Sequence, residues 1–357
     1  MMKMFQKLGL GAVTLSAVLV LGACGNSSKK SDDSNKKSDF SAALVTDIGG
    51  VDDKSFNQSA WEGLQKWGKE NGLKKGVGGY DYFQSTSESE YVSNIDQAIA
   101  GKFNVIYGIG FALAEAIKEE ADANPDTNFA IVDDVIEGKK NVASAIFADN
   151  ESSYLAGVAA AHETKTKKIG FIGGTEGTVI GRFEAGFKAG VASVDKSIDV
   201  QVKYAESYGD PAKGKTIAST MYSSNVDIIF QVAGGTGAGV FSEASAINQG
   251  KDADAADKVW VIGVDRDQIE EGKYKSKDGK ESNFTLCSTT KGVGEALIAM
   301  TKLAQDGKFP GGEVKKYGIK AGGVDLAQDN LPDATMELVK TAREGIINGD
   351  IKVPEKP

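Results

Sequence analysis

The feature that most constrains this chain is a regular alternation past Phe40. Short apolar runs of strand length take turns with segments of helical period. FSAALVTD (40–47) precedes SFNQSAWEGLQKWGKENG (55–72). GGYDYFQ (78–84) precedes ESEYVSNIDQAIAG (88–101), and FNVIYGIG (103–110) precedes ALAEAIKEEADAN (112–124). NFAIVDD (128–134) closes this first series. After NVASAIFAD (141–149) a second begins with the helical ESSYLAGVAAAHETK, then KKIGFIGG, VQVKYAESY, VDIIFQVAG and VWVIGVD, each followed by helical or turn-rich chain. Strands alternating with helices of this length predict crossover units and parallel sheet. Near-continuous apolar strands fit sheets covered on both faces. The expectation is an α/β protein of two doubly wound parallel-sheet lobes. With six prolines in the chain and no Pro-rich linker, short crossing strands are expected to join them as a hinge. The expected division is 40–148 plus 289–308 for one lobe, and 149–288 plus 309–357 for the other.

The start of the chain is different. Lys3 and Lys7 precede LGLGAVTLSAVLVLGA, and LGAC ends the apolar run at Cys24. This is the layout of a bacterial export signal, expected over residues 1–23. A Cys at its end resembles the lipobox of bacterial lipoproteins, where that Cys carries diacylglycerol. Residues 24–39, GNSSKKSDDSNKKSD included, lack apolar content before Phe40 and read as a flexible tether. The expected place is the cell membrane, lipid-anchored on its extracytoplasmic face. The formal charge is −9, and loss of the two leader lysines takes it near −11. That balance argues against nucleic acid as a partner. The remaining Cys287 sits in an apolar run, where burial explains it. A single His162 offers neither a metal cluster nor an acid–base pair, so no metal, no cofactor and no catalytic set is expected.

In open parallel sheets, ligands sit beyond the carboxyl ends of the strands. Those ends here are TDIGGVDDKSFN (46–57), GIGF (108–111), VDD (132–134), IGGTEGTVIGRF (172–183), VAGGTGAG (232–239), GVDRDQ (263–268) and STTKG (288–292). They hold glycines, carboxylates, three Phe, two Arg and two Lys, a composition suited to an uncharged, flat, hydroxyl-bearing ligand. Ser55-Phe-Asn-Gln58 has capping-box spacing and predicts a helix start near Phe56. Phe56 belongs by spacing to an apolar stripe with Ala60, Leu64 and Trp67, and by position to the mouth of a strand end. Asp265 could accept hydrogen bonds from a vicinal diol or cap the next helix, and the sequence leaves both open. Gly209-Asp-Pro-Ala-Lys-Gly-Lys-Thr216 matches a phosphate-loop pattern. Yet Asp210 would repel phosphate, and we expect the match to be inert.

Together the lipobox, DIGGVDDKSFNQSAWEG, FADNESSYLAG, GRFEAGFKAGV, QVAGGTGAGV and GVDRDQ resemble the basic membrane protein family of lipoproteins, over essentially the whole chain and in order. The resemblance implies the type I periplasmic-binding-protein fold, a three-stranded hinge, and a non-enzymatic role. That role is delivery of purine nucleosides (guanosine, adenosine, inosine) to the permease subunits of an ABC importer. It implies that Phe56 stacks on the base and that Asn57 and Asp133 hydrogen-bond it. Asp265 and Lys291 would hold the ribose, with Asp47 nearby. Phe183, or in its place Phe111, would close the other face of the base, and Gly234 and Gly235 would allow close backbone approach. The competing expectations are a binding lipoprotein for a sugar or other small furanose, and an enzyme such as an ATPase or nucleosidase.

Stable membrane attachment takes two acyl chains, because one anchors only marginally. Cys24→Ala is therefore expected to release the protein or leave an unprocessed precursor. Normal lipid-labelled mature protein from that variant, followed by metabolic labelling, would contradict the anchor.

Overall fold

The computed structural model describes residues 40–328 and 330–357; the expected leader, Cys24 and the tether lie outside them. The first series gives β1 (Ala42–Thr46), α1 (Phe56–Glu70), β2 (Tyr80–Phe83), α2 (Tyr91–Ala100), β3 (Val105–Ile109), α3 (Ala114–Ala123), β4 (Asn128–Val132) and β5 (Val142–Phe147). The second gives α4 (Asp149–Glu163), β6 (Lys168–Gly173), α5 (Thr178–Val194), β7 (Asp199–Tyr204), α6 (Pro211–Ser223), β8 (Ile228–Val232), α7 (Gly237–Gln249) and β9 (Trp260–Gly263). A small hairpin of β10 (Lys273–Lys275) and β11 (Glu281–Asn283) leads to β12 (Thr285–Lys291). The chain ends with α8 (Val293–Gln305), β13 (Val314–Tyr317), β14 (Val324–Ala327) and α9 (Asp333–Asn348).

The first sheet runs β13-β5-β4-β3-β1-β2, parallel throughout. The second runs β14-β12-β9-β8-β6-β7, parallel except for β14. In each, the strand order reverses once, between β1 and β3 and between β6 and β8. The doubly wound architecture read from the alternation is therefore the one observed. β1, β3 and β8 are buried along their whole length, as their largely apolar sequence favours.

The chain crosses between the sheets at Ala148, at Gly292 and over residues 318–323. These crossings are bonded to one another: Ala148 N–H to the Tyr317 carbonyl at 2.9 Å, and Gly292 N–H to that of Gly323 at 2.9 Å. The division expected from the sequence needs two corrections. Val314–Tyr317 pairs with β5 in the first sheet, so residues 309–317 do not belong to the second lobe. Residues 289–291 complete β12 in the second sheet, and α8 only then returns to pack on α1. The physical reason is the edge of β5, which β13 covers and which hydrophobic pattern alone does not reveal.

The phosphate-loop match is a packing device. Asp210 itself accepts the Lys213 N–H at 2.9 Å and caps α6. A Cβ on Gly214 would stand 2.1 Å from the Thr236 carbonyl oxygen, and one on Gly239 1.9 Å from that of Pro211. The glycines thus let α6 and α7 touch backbone to backbone. Gly214→Ala is expected to lower stability by about 1–3 kcal/mol through overpacking. Lys215→Ala, half-exposed beside Glu243 at 3.9 Å, should change it by no more than about 0.5 kcal/mol. Urea unfolding of both variants checks the contrast.

Candidate functional site

The carboxyl ends of both sheets face one cavity of about 180 Å³. Its wall on the first lobe begins where β1 ends. Asp53, buried just before α1, accepts the backbone N–H groups of Ser55 (2.8 Å), Asn57 (2.9 Å) and Gln58 (3.1 Å). It caps the helix in place of the expected Ser55–Gln58 box, because one charged acceptor reaches three orphan N–H groups. Ser55 and Gln58 turn elsewhere, Gln58 to Glu62. Helix α1 does start at Phe56. Phe56 is half-buried and lines the cavity, while Ala60, Leu64 and Trp67 carry its stripe into the core. Both readings of Phe56 describe parts of one side chain's surroundings.

Asn57 is buried and fully oriented. Its Nδ2 donates to Asp47 Oδ1 at 2.7 Å and to Asp53 Oδ2 at 2.9 Å, which leaves its Oδ1 buried without a partner. Asp47 Oδ1 also takes the Gly49 N–H at 2.8 Å. Gly110 closes β3 at φ +109°, and a Cβ there would lie 3.3 Å from Asp47 Oδ2 and 3.5 Å from the Phe56 ring. Only glycine leaves that approach open.

Lys291, at the end of β12, is buried between Asp133 at 2.6 Å and Asp149 at 3.0 Å. Arg182 of α5 adds a bond from Nη2 to Asp149 Oδ2 at 3.2 Å. The ammonium also lies 5.1 Å from the Phe56 and Phe147 ring centroids and 5.6 Å from that of Phe183. Burial works against its charge, but Asp133, Asp149 and Asp265 outweigh it and hold the amine well above its ordinary value. Asp133, despite that partner, is pushed upward by burial, and its Oδ1 is unpaired.

Asp265 closes the opposite wall. It sits at φ +65°, as Asp133 sits at +71°, a conformation costly for most side chains and tolerated by Asp. Its Oδ2 accepts from Ser55 Oγ at 2.5 Å. Burial pushes its carboxyl up to about 7 and that of Asp47 up to about 6.

The structure therefore brings Asp47, Phe56, Asn57, Asp133, Phe183, Gly234, Asp265 and Lys291 to one cavity, with Phe111 among them. Gly235 stands just behind the wall, where a Cβ would lie 3.1 Å from the Tyr208 carbonyl. Sequence reasoning missed Asp149, Tyr91, Glu88 and the 206–208 loop, whose Tyr208 packs edge-on against Phe111 at 6.3 Å. The strand-end rule would have found the last, had the strand VQVKYAESY been ended at Tyr204. Asp149, two residues past the end of β5, would have been found by the same rule had NVASAIFAD been counted among the strands.

The geometry is that of a two-lobed binding protein, and comparisons with known proteins agree. A family model described as ABC transporter substrate-binding protein PnrA-like (Bmp) matches residues 40–357. A protein of Lactococcus lactis subsp. cremoris named ABC transporter nucleoside-binding protein BmpA is 54% identical over 98% of this chain and 99% of its own. A Listeria innocua protein named CD4+ T-cell-stimulating antigen is 50% identical over 98% of each. A solved ABC transporter solute-binding protein from Aeropyrum pernix shares the fold, with a TM-score of 0.73 at 24% identity, over 88% of this chain and 94% of that one. The chain belongs to the Bmp family of ABC transporter substrate-binding proteins, the family that its motifs resemble.

A carboxyl whose folded value lies above its unfolded one, about 3.9, keeps a proton that the unfolded chain releases. Its contribution to stability is then greatest at low pH and is lost as pH rises from about 4 through the folded value. The melting temperature of the wild type relative to Asp265→Asn is expected to fall between about pH 5 and pH 8. Differential scanning calorimetry of both proteins across that range checks the sign; a rising difference would contradict it.

Proposed function

We propose that this protein is a lipid-anchored extracytoplasmic receptor that captures purine nucleosides between its lobes and delivers them to an ABC importer. The observation that carries the reading is the chemistry of the cavity. Aromatic rings stand beside carboxylates with open acceptor atoms, while Lys291, the one lysine on its wall among the described residues, is already held by two carboxylates. Such a surface suits a neutral ligand that donates hydrogen bonds and has a flat face. It repels a phosphate ester. The nucleoside-binding name of the half-identical Lactococcus lactis relative supports the same ligand class.

In this reading Phe56 stacks on the base, worth roughly 1–3 kcal/mol. Asn57 Oδ1 and Asp133 Oδ1, both buried without partners, take donors of the base. Asp265 and Asp47 accept ribose hydroxyls. Lys291 keeps Asp133 oriented and has a third N–H to give. Phe183 or Phe111 covers the second face of the base, and Gly234 and Gly235 keep the backbone close. Cys24 supplies the anchor, and the outer faces of the two lobes meet the permease subunits.

Calorimetric titration tests the proposal. Guanosine, inosine and adenosine are expected to bind more tightly than their 2′-deoxy forms, with free bases weakest. A carboxylate left without its hydroxyls is buried and unpaired, at a cost of about 1–3 kcal/mol or more. Asp265→Asn should lose affinity and flatten that order, and Asp265→Ala should flatten it further. Free bases binding as well as nucleosides would overturn the ribose assignment, and free pentoses binding best would favour the furanose alternative.

A further inference from the structure

Besides Lys291–Asp133 and the Phe111–Tyr208 ring contact, three polar contacts join the lobes between Lys54–Glu62 and Asp265–Gln268. Ser55 Oγ donates to Asp265 Oδ2 at 2.5 Å. Gln268 Nε2 donates to the Lys54 carbonyl at 2.8 Å. Arg266 Nη2 meets Glu62 Oε1 at 3.3 Å. Gln268 is anchored inside its own lobe, since its Oε1 accepts from the Val264 N–H at 2.9 Å and from Gln231 Nε2 at 2.8 Å. Its amide therefore has a fixed direction, and the spare donor points across the cleft. Lys54 answers with a carbonyl turned outward by a left-handed φ of +59°. Ser55 is wholly buried and makes no cap bond to its own helix. Its hydroxyl is spent on the other lobe.

A carboxylate has about four lone-pair sites. One donor on Oδ2 fixes the plane of the Asp265 carboxylate and leaves its other sites for a ligand. When the lobes part, that donor leaves and water replaces it, so Asp265 has its binding geometry only in the closed protein. We propose that Ser55 is a positioning residue that sets ribose specificity by orienting Asp265 on closure, with Gln268–Lys54 and Arg266–Glu62 as the latch that holds the lobes shut. The proposal rests on the nucleoside reading above, and assigns that reading's selectivity to a residue that does not itself bind the ligand.

Stopped-flow dissociation of guanosine and 2′-deoxyguanosine separates the parts. Ser55→Ala keeps the backbone N–H bond to Asp53. Loss of a hydrogen bond to a charged group should speed guanosine release at least about 10-fold. The deoxy ligand should be affected less, so the ratio of the two rates shrinks. Ser55→Thr, which retains the hydroxyl, should restore the ratio. Arg266→Ala breaks a partly exposed pair and should speed both ligands by a similar factor of about 1.5 to 5, leaving the ratio intact. The melting temperature of ligand-free Ser55→Ala should stay close to that of wild type, which separates positioning from packing. A wild-type ratio in Ser55→Ala overturns the assignment. A wild type that binds neither nucleoside overturns the nucleoside reading itself, and the assignment with it.

Discussion

The ammonium of Lys291 ties the two lobes together next to their crossings. It stands on the last residue of β12, just before the chain crosses at Gly292. Its partners are Asp133 from the first lobe and Asp149 from the first turn after another crossing. Two cations and two carboxylates, Arg182 included, form one near-neutral buried set. Removing one partner from such a set strands the others without water, a loss of about 3–5 kcal/mol. The hinge and the ligand wall are therefore parts of a single electrostatic unit.

That unit explains the acceptor-rich character of the cavity. Two of the three Lys291 N–H groups and both of the Asn57 amide are committed to carboxylates, so the buried polar side-chain atoms left open on Asn57 and Asp133 are oxygens. Burial raises the affinity of Asp47 and Asp265 for protons, and a ligand's donors can take the protons' place. The charge arrangement that keeps the lobes in register thus also selects for neutral, donor-bearing molecules. The same economy appears at the mouth, where one stretch of the second lobe, Asp265–Gln268, carries both a ligand contact and the latch.

Much of this was legible along the chain. The alternation of apolar runs predicted two parallel sheets because burial on both faces leaves no room for polar alternation. The strand-end rule then collected Phe56, Asp133, Phe183 and Asp265 without knowledge of contacts, since a doubly wound sheet must gather those ends on one side. The helix cap was misassigned because Ser55 and Asp53 both have cap chemistry. Only the position of Asp265 across the cleft decides which of them turns inward. Val314–Tyr317 was placed in the wrong lobe because a short, exposed edge strand carries no signal for its partner.

By itself, the sequence determined the class of fold, the family and most of the residues at the cavity. These depend on local periodicity and on motifs that survive as strings of letters. The tertiary structure decided the partners. It bound Lys291 to two carboxylates, left Asn57 Oδ1 and Asp133 Oδ1 open, and turned Ser55 from its helix toward Asp265. The lysine and serine outcomes depend on distances between residues 142 (291 − 149) to 210 positions apart. Directional bonds and desolvation act through space, and no local pattern of residues encodes which atoms finally meet.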